Sequence, residues 1–286
     1  DWFASTTIVV LALVAAVTFV FFLIWEVGEE HPIVDLQLFT RRNFWIGTTT
    51  ISLAYGIFFG NIVLLPLWLQ EFMGYTATWA GLLMAPVGLL AIVLTPIVGA
   101  NLHRVDLRLL ATVALLSFAL TFWMRSHFNT QADLHTLVLP SIVQGIPMAF
   151  FFVPLMALVL SGLPPERIPS ATGLSNFVRI TAGAFGTSIY TTLWEDRATL
   201  HHARLTESIH QARIPVDDAL SLFSSAGLSR EQGLEYINQL IEHQAYMLSA
   251  NDLFAASALL CLLLTSVIWF ARKTYSGAPA DGGGAH

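Results

Sequence analysis

Residues 2–25 have the sequence WFASTTIVVLALVAAVTFVFFLIW, which contains no Asp, Glu, Lys or Arg. A helix of about 20 apolar residues crosses the ~30 Å hydrocarbon core of a bilayer, because each residue adds about 1.5 Å. Stretches of similar length with one charged residue or none recur along the chain. We therefore predict an all-α integral membrane protein with seven spans near residues 5–25, 44–70, 78–101, 107–125, 137–162, 171–194 and 249–271.

The composition agrees with this prediction. Of the 286 residues, 55% are hydrophobic and only 11% are charged, whereas soluble domains carry about 25% charged residues. The net charge of −6 arises mainly within residues 195–248 and does not suggest a nucleic-acid partner. Because Cys261 is the single cysteine, no intrachain disulfide can form. No metal-ligand pattern, nucleophile elbow or phosphate-binding Gly loop supports an enzyme, and the His201–His202 pair is typical of a solvated surface.

Positive charge predicts the orientation of the spans. Short cytoplasmic loops carry an excess of Lys and Arg. One set of predicted loops, with flanking residues, holds Arg41, Arg42, Arg104, Arg108, Arg167, Arg272 and Lys273. The short loops on the other side, 71–77 and 126–136, hold only the flanking Arg125. We therefore expect the N-terminus outside and the C-terminus in the cytoplasm.

The long outer segment, 195–248, carries two amphipathic patterns. Asp217 and Asp218, after Pro215, can start a short helix that ends at Gly227. Ser229 and Gln232 form a capping-box pattern before a second helix. These helices would either dock a partner or fold over the outer surface of the protein itself.

The predicted division of the chain follows from these spans and loops. It comprises a linker transmembrane helix (1–27), a cytoplasmic link (28–43), five helices (44–194), a periplasmic loop with short helices (195–248), a last helix (249–271) and a flexible cytoplasmic tail (272–286).

Arg179 is the only charged residue away from the ends of a predicted span; Arg108, Arg125 and Asp252 lie at or near span ends. An ionisable side chain at the centre of a membrane helix costs about 2.5–3.5 kcal/mol, so its position needs an explanation. Asn176, Gly183 and Gly186 fall on the same helical face as Arg179. This face would line the bundle interior or a water-filled cavity. Alternatively, Arg179 extends to the nearby cytoplasmic interface.

Aromatic and amide side chains in two other spans indicate a binding cavity. An aromatic wall on one helix can contact varied apolar ligands, although ordinary helix packing uses the same residues. A second helix contains Pro147 and Pro154, which should bend it. The predicted cavity residues are Tyr55, Phe58, Phe59, Asn61, Gln144, Phe151, Asn176 and Arg179. No carboxylate lies deep inside a predicted span, since Glu71 and Asp252 are terminal, so a proton-coupling carboxylate would have to lie outside this chain.

Several motifs then resemble a known family. They are HPIVDLQLF (31–39), LPLWLQE (65–71), GYTATWAGL (74–82) with Pro86, LSGLPPER (160–167), LSNF (174–177) with Arg179, and HHARLTE (201–207). Together they are similar to the fourteen-span drug:proton antiporters of the major facilitator superfamily, EmrB/QacA type. The resemblance covers essentially the whole chain. It implies that the first span is a linker helix and that the other six form the C-terminal bundle.

The resemblance also implies a function and partners. Such proteins sit in the bacterial inner membrane and export hydrophobic small molecules by alternating access. They use the proton gradient and need no cofactor. The expected partners are the N-terminal half of the same transporter, membrane lipid, a periplasmic adaptor of the EmrA type and an outer-membrane channel of the TolC type. Because the chain starts at Asp1 with an odd number of spans, we expect the N-terminal half to precede it.

Two further sets of residues take roles from this family. Trp68, Gln70 and Glu71 would lie at the outer gate. Residues Gly99, His103, Arg104, Asp106 and Arg108 resemble a degenerate copy of the superfamily's cytoplasmic motif, with His103 where an Asp is usual. Two alternatives stay open: the same fold exporting a siderophore or lipid precursor, and a membrane scaffold or receptor that does not transport.

Overall fold

The structure is a computed structural model that describes residues 5–28, 35–130, 132–211 and 213–275. In this part of the chain all regular secondary structure is helical. The α-helices are α1 (Thr6–Gly28), α2 (Arg42–Glu71), α3 (Ala77–Met84), α4 (Pro86–Asn101), α5 (Leu107–Arg125), α6 (Leu134–Leu160), α7 (Ile168–Gln211), α8 (Arg213–Ser225) and α9 (Arg230–Ile268). Parts of the predicted link and tail, residues 29–34 and 276–286, lie outside the described residues.

Among the residues that the structure describes, six segments are long and apolar enough to cross a membrane, which confirms the all-α membrane prediction. They are Thr6–Glu26, Arg42–Glu71, Ala77–Asn101, Leu107–Arg125, Leu134–Leu160 and Arg230–Ile268. The third comprises α3 and α4, which meet at Pro86, where the missing proline N–H interrupts the helical hydrogen bonds. The predicted span 171–194 is not among the six. It lies within α7, whose Asn176, Arg179 and many Gly, Ser and Thr residues lower its hydropathy.

Helix α7 nevertheless belongs to the bundle, because it packs along α2 and α9. Helix α2 is central and contacts α6, α7 and α9, while α5 packs between α6 and α9, and α4 packs on α6. The core between them is apolar and rich in phenylalanine. In contrast, α1 exposes its apolar side chains; Leu13 is 65% exposed and Ile24 is 69% exposed. That exposure suits a helix surrounded by lipid.

Small residues set the close approach of α2 and α7. A Cβ atom added at Gly56 would lie 2.8 Å from the carbonyl oxygen of Ala182, and one added at Gly186 would collide with the backbone of Gly56. A Cβ at Gly183 would lie 2.9 Å from the Tyr55 ring. The small-residue face predicted on this helix is therefore the surface that contacts α2, as in other membrane helix pairs.

Two helices are much longer than one membrane span, so only the first of the short helices predicted for residues 195–248 is a separate short helix, α8. At about 1.5 Å per residue, α7 is about 66 Å long and α9 about 58 Å long, against ~30 Å of hydrocarbon. The predicted second short helix is the first part of α9, and its capping box at Ser229 and Gln232 is present. Gly227 has a positive φ of 89° at the turn before it. We call residues 195–211, α8 and 230–248 the helical extension.

The helix ends opposite the extension meet at what we call the basic end. Asn43, beside the start of α2, donates hydrogen bonds to Ser161 after α6 (2.9 Å) and to Thr274 after α9 (3.1 Å). The Leu107 N–H at the start of α5 donates to the carbonyl of Thr274. The seven basic residues used to predict orientation lie in the segments at this end.

Candidate functional site

An aromatic cluster lies between α2, α5 and α6. Its members are Tyr55, Phe58, Phe59, Phe118, Phe151 and Phe152. The rings of Tyr55 and Phe59 are 4.4 Å apart, and those of Phe151 and Phe152 are 5.0 Å apart. Phe118 is 5.8 Å from Phe58 and 5.5 Å from Phe151, so it joins the two groups. Four of the predicted cavity residues are thus brought together in one cluster.

Phe118 and Phe152 were not among the predicted cavity residues. Phe152 lies in the Phe150–Phe152 run, but sequence alone did not show which ring faces α2. Phe118 lies on α5, where no polar neighbour marks the face. Their ring contacts with Tyr55 and Phe58 appear only once the three helices are packed.

Arg179 on α7 borders the aromatic cluster. Its guanidinium carbon lies 5.1 Å from the centre of the Tyr55 ring and 5.5 Å from that of Phe152. The Nε atom is buried without a hydrogen-bond partner, and in the described part of the chain no carboxylate pairs with Arg179. The side chain therefore faces the bundle. Cation–π contacts of this kind contribute about 0.5–2 kcal/mol. Asn176 is half-buried one helical turn before it.

Asn61 lies in a separate buried polar cluster rather than beside Arg179. Its amide donates to the Ser257 hydroxyl on α9 at 3.0 Å, and the Tyr190 hydroxyl on α7 lies 2.6 Å from the same oxygen. Ser257 itself donates to the carbonyl of Leu253, so it accepts from Tyr190. These bonds join α2, α7 and α9 inside the bundle.

Gln144 is also occupied in a structural contact. Its side-chain oxygen accepts a 2.6 Å hydrogen bond from Arg125 on α5. Arg125 is only 1% exposed, although its position beside a predicted loop suggested a surface residue. The guanidinium is retained inside the bundle because α6 supplies this acceptor. Arg125 was missed in the sequence because it falls at the very end of an apolar run.

The three predicted gate residues occupy different environments at the far end of α2. Trp68 is buried and stacks on Phe128, with ring centres 5.8 Å apart. Gln70 and Glu71 are exposed, and the Gln70 amide donates to the carbonyl of Pro66 on the same helix. Trp68 thus packs the end of the bundle, while the two polar side chains face outward.

The residues of the predicted cytoplasmic motif also differ in exposure. Gly99, His103 and Arg104 are exposed. Asp106 is buried, caps α5 and forms a 2.8 Å ion pair with Arg108. Burial raises the pKa of the Asp106 carboxyl, but hydrogen bonds and charge from Arg108, with the charge of Lys273, lower it more, so its pKa lies below the usual 3.8.

Arg108 also connects this motif to the end of α9. It donates to the carbonyl of Ala271 at 3.3 Å and lies 5.1 Å from the Trp269 ring. The Asp106–Arg108 pair therefore holds the start of α5 against the end of α9.

An apolar groove of about 580 Å³ lies in the helical extension. It is lined by Phe72, Met73, Thr130, Leu205, Ile209, Ile237, Leu240, Ile241, His243 and Gln244. Nearby, Asp252 on α9 accepts hydrogen bonds from Arg197 (2.9 Å) and contacts His201 (2.8 Å), both on α7. These polar contacts hold the two long helices together where they leave the bundle. The groove thus has a stable frame.

The bundle of long apolar helices, with an aromatic cluster and an unpaired arginine in its interior, has the features of a multi-pass membrane transporter. No group of residues that could hold a metal ion occurs in the described ranges. The family model described as Major Facilitator Superfamily matches residues 2–187, and the chain belongs to this superfamily of transporters.

Sequence similarity to several export and resistance proteins supports the assignment to this superfamily. The chain is 45% identical, over its whole length, to the multidrug export protein EmrB of Escherichia coli strain K12 and covers 56% of that protein. It is 40% identical to the fatty acid resistance protein FarB of Neisseria gonorrhoeae, again over 100% of this chain and 56% of the relative. EmrB of Haemophilus influenzae is 41% identical over 96% of the chain, which covers 54% of that relative. The chain thus spans about half the length of these relatives.

Proposed function

We propose that this chain forms the C-terminal half of a multidrug exporter of the bacterial inner membrane, which works by alternating access in exchange for protons. The observation that supports this proposal best is the aromatic cluster bordered by Arg179. The rings of Tyr55, Phe59 and Phe152 are only partly buried and can contact apolar compounds of different shape, whereas Phe58, Phe118 and Phe151 are buried in the core and support them. Ring contacts contribute about 0.5–1.5 kcal/mol each. The names of the EmrB relatives, which are multidrug export proteins, are consistent with such a site.

Arg179 suggests which compounds would bind well. Its guanidinium lacks a carboxylate partner in the described chain, and its Nε–H lacks an acceptor. An amphiphile that carries an anionic group would supply both, while its apolar part contacts the rings of Tyr55 and Phe152. A relative named for fatty acid resistance fits the same chemistry. We therefore propose a preference for hydrophobic compounds with an acidic group.

Replacement of the rings tests the substrate site. In a strain that lacks its own exporters, Phe59→Ala and Phe152→Ala, which replace partly buried rings, should lower resistance to several unrelated compounds by about 2–10-fold, as loss of one ring contact predicts. Phe185→Ala is the matched control, because Phe185 lies on α7 but is exposed on the outside of the bundle. An unchanged profile would contradict the proposal, and altered export of one siderophore or lipid precursor alone would favour that alternative.

Proton coupling would depend on residues outside this chain. One proton driven by ~100 mV supplies ~2.3 kcal/mol, which exceeds the ~1.4 kcal/mol needed for tenfold accumulation. The aromatic cluster contains no carboxylate, so the N-terminal half of the transporter would provide the coupling group. Reconstituted full-length protein should release protons when a substrate is added. No transport by that protein would instead favour a scaffold or receptor.

The apolar groove in the helical extension would receive a periplasmic adaptor, which in turn joins an outer-membrane channel. Leu240 lines this groove and is half exposed, whereas Leu222 is more exposed but lies outside it. Leu240→Asp should abolish co-purification of the adaptor while transport in vesicles is retained, and Leu222→Asp should have no effect. Equal adaptor binding by both variants would contradict a docking role for the groove.

A further inference from the structure

A basic cleft of about 430 Å³ lies at the basic end, between the start of α2, the end of α6 and the end of α9. The ten residues that line it are Thr40, Arg41, Arg42, Asn43, Ser161, Gly162, Arg272, Lys273, Thr274 and Tyr275. Four of them are cationic and none is acidic. The proposed transport function uses none of these residues.

The floor of this cleft is held in place by hydrogen bonds. The side-chain oxygen of Asn43 accepts a 2.6 Å bond from the backbone N–H of Arg272, and its amide donates to Ser161 and Thr274. The Arg42 side chain donates to the carbonyl of Phe270 at the end of α9. The cleft is thus framed by contacts among three different helix ends rather than by a single mobile loop.

The cationic groups around this floor keep free hydrogen-bond donors. Arg41 uses one guanidinium nitrogen to donate to the carbonyl of Gly162 at 3.2 Å, and a guanidinium has five N–H donors. Arg41 is also the N-cap residue of α2 and makes no side-chain capping bond. The start of α2 contributes a positive dipole end and the ends of α6 and α9 contribute negative ones, so the positive charge of the cleft comes from its side chains. Asp106, whose charge acts on Lys273, is already paired with Arg108. The lining of the cleft thus holds four cations and no carboxylate.

Three exposed aromatic side chains are close in sequence to the residues that line the cleft. Trp45, Trp269 and Phe270 are 47%, 48% and 63% exposed, and each lies within three residues of a cationic residue of the cleft. Tryptophan at this position is typical of the membrane interface. A ligand in the cleft can therefore place a charged group among the cations and its apolar part against these rings.

We propose that the basic cleft binds the phosphate-containing headgroup of an anionic phospholipid, with the acyl chains beside Trp45, Trp269 and Phe270. The phosphodiester would accept hydrogen bonds from Arg41, Arg42 and Lys273, and a basic cleft between membrane helices suits such a headgroup. Because the cleft joins the ends of α2, α6 and α9, the bound lipid would stabilise their association. This proposal does not depend on the transported substrate.

The test compares lipid binding by purified full-length protein and by two double variants. Arg41→Gln/Lys273→Gln removes two charges from the cleft. Arg104→Gln/Arg230→Gln, at exposed positions outside it, removes the same charge elsewhere. Each basic residue near an anionic headgroup is worth about fivefold in affinity. We expect phosphatidylglycerol to raise the Tm of the parent and of the control variant, and its apparent affinity for the cleft variant to fall about 25-fold.

Three outcomes would overturn the proposal. Equal stabilisation of the parent by phosphatidylglycerol and zwitterionic phosphatidylcholine would show that the headgroup charge is not recognised. The same affinity for phosphatidylglycerol in both double variants would place the site elsewhere. A comparable Tm shift with inorganic phosphate alone would identify a soluble anion rather than a lipid. If the double cleft variant fails to fold, Lys273→Gln alone should show a loss of about fivefold, because Lys273 is exposed and contacts the Tyr275 ring.

Discussion

Arg125 donates a 2.6 Å hydrogen bond to Gln144, and the two side chains are almost completely buried between α5 and α6. No carboxylate accompanies this guanidinium in the described part of the chain. A buried charge that loses its hydrogen-bond acceptor keeps its full desolvation cost. The stability of this helix pair should therefore depend on Gln144.

Gln144→Leu should destabilise the protein by about 1.5–3 kcal/mol, the usual worth of a hydrogen bond to a charged group. The double variant Arg125→Met/Gln144→Leu should recover most of that loss, since it removes the charge as well as its acceptor. Thermal unfolding in detergent measures both effects. Additive losses in the double variant would contradict a direct dependence of Arg125 on Gln144.

Because α7 packs closely against α2, alanine should have opposite effects on stability at two glycines of α7. At Gly186 a new Cβ would collide with the backbone of Gly56, so Gly186→Ala should lower stability by about 1–3 kcal/mol. At Gly173 a Cβ meets nothing within 4 Å. Gly173→Ala should be neutral or stabilise by up to about 1 kcal/mol, because alanine is the better helix former. If Gly186→Ala and Gly173→Ala change the Tm by the same amount, the close approach of α2 and α7 is not required for stability.

The ring of Tyr55 should be needed beside Arg179, whereas its hydroxyl should not. Tyr55→Phe keeps the π face and should leave resistance to amphiphilic acids within about twofold. Tyr55→Leu removes the cation–π contact, worth about 0.5–2 kcal/mol, and should lower resistance by about 2–30-fold. Resistance assays at equal expression levels distinguish Tyr55→Phe from Tyr55→Leu. Equal loss in both variants would indicate that the hydroxyl, not the ring, carries the effect.

Low pH should lower the stability of the protein at the basic end, because the Asp106 carboxylate becomes protonated. Its pKa is lower in the folded protein than its ordinary value of 3.8, so the ionised carboxylate stabilises the fold above that value. The contribution is lost as the pH falls through the lower, folded-state pKa. The parent should therefore have a higher Tm than Asp106→Asn at about pH 7, and the difference should shrink at about pH 3. Asparagine is the suitable replacement because it still caps a helix. A difference that stays constant with pH would exclude titration of Asp106.

Part of the candidate site could be predicted from residue spacing. Tyr55, Phe58 and Phe59 recur at helical intervals, and Arg179 is the single charge in an otherwise uncharged span. Both features can be recognised from the sequence without a structure. Phe118 and Arg125 on α5 carry no such signal. Their roles depend on which face of α5 meets α2 and α6, and apolar residues all around that helix conceal the face.

The side-chain amides of Asn61 and Gln144 also show what cannot be predicted from the sequence. The sequence predicts Asn61 and Gln144 in the cavity wall because polar residues at membrane depth suggest a cavity. The structure places them in separate hydrogen-bonded pairs, Asn61 with Ser257 and Gln144 with Arg125. A buried amide needs a partner in any environment that lacks water, and sequence does not reveal whether the partner is a ligand or another helix.

The sequence is sufficient to identify a helical membrane protein, because ~30 Å of hydrocarbon requires long uncharged runs whose backbone groups bond internally. It also determined which end of the bundle is basic. In contrast, the contact of Arg179 with Tyr55 and Phe152, the burial of Arg125 and the full length of α7 and α9 become apparent only in the folded structure. Those features depend on the rotation and packing of helices around one another. In this bundle they follow from contacts such as Gly56 with Gly186, far apart in the chain.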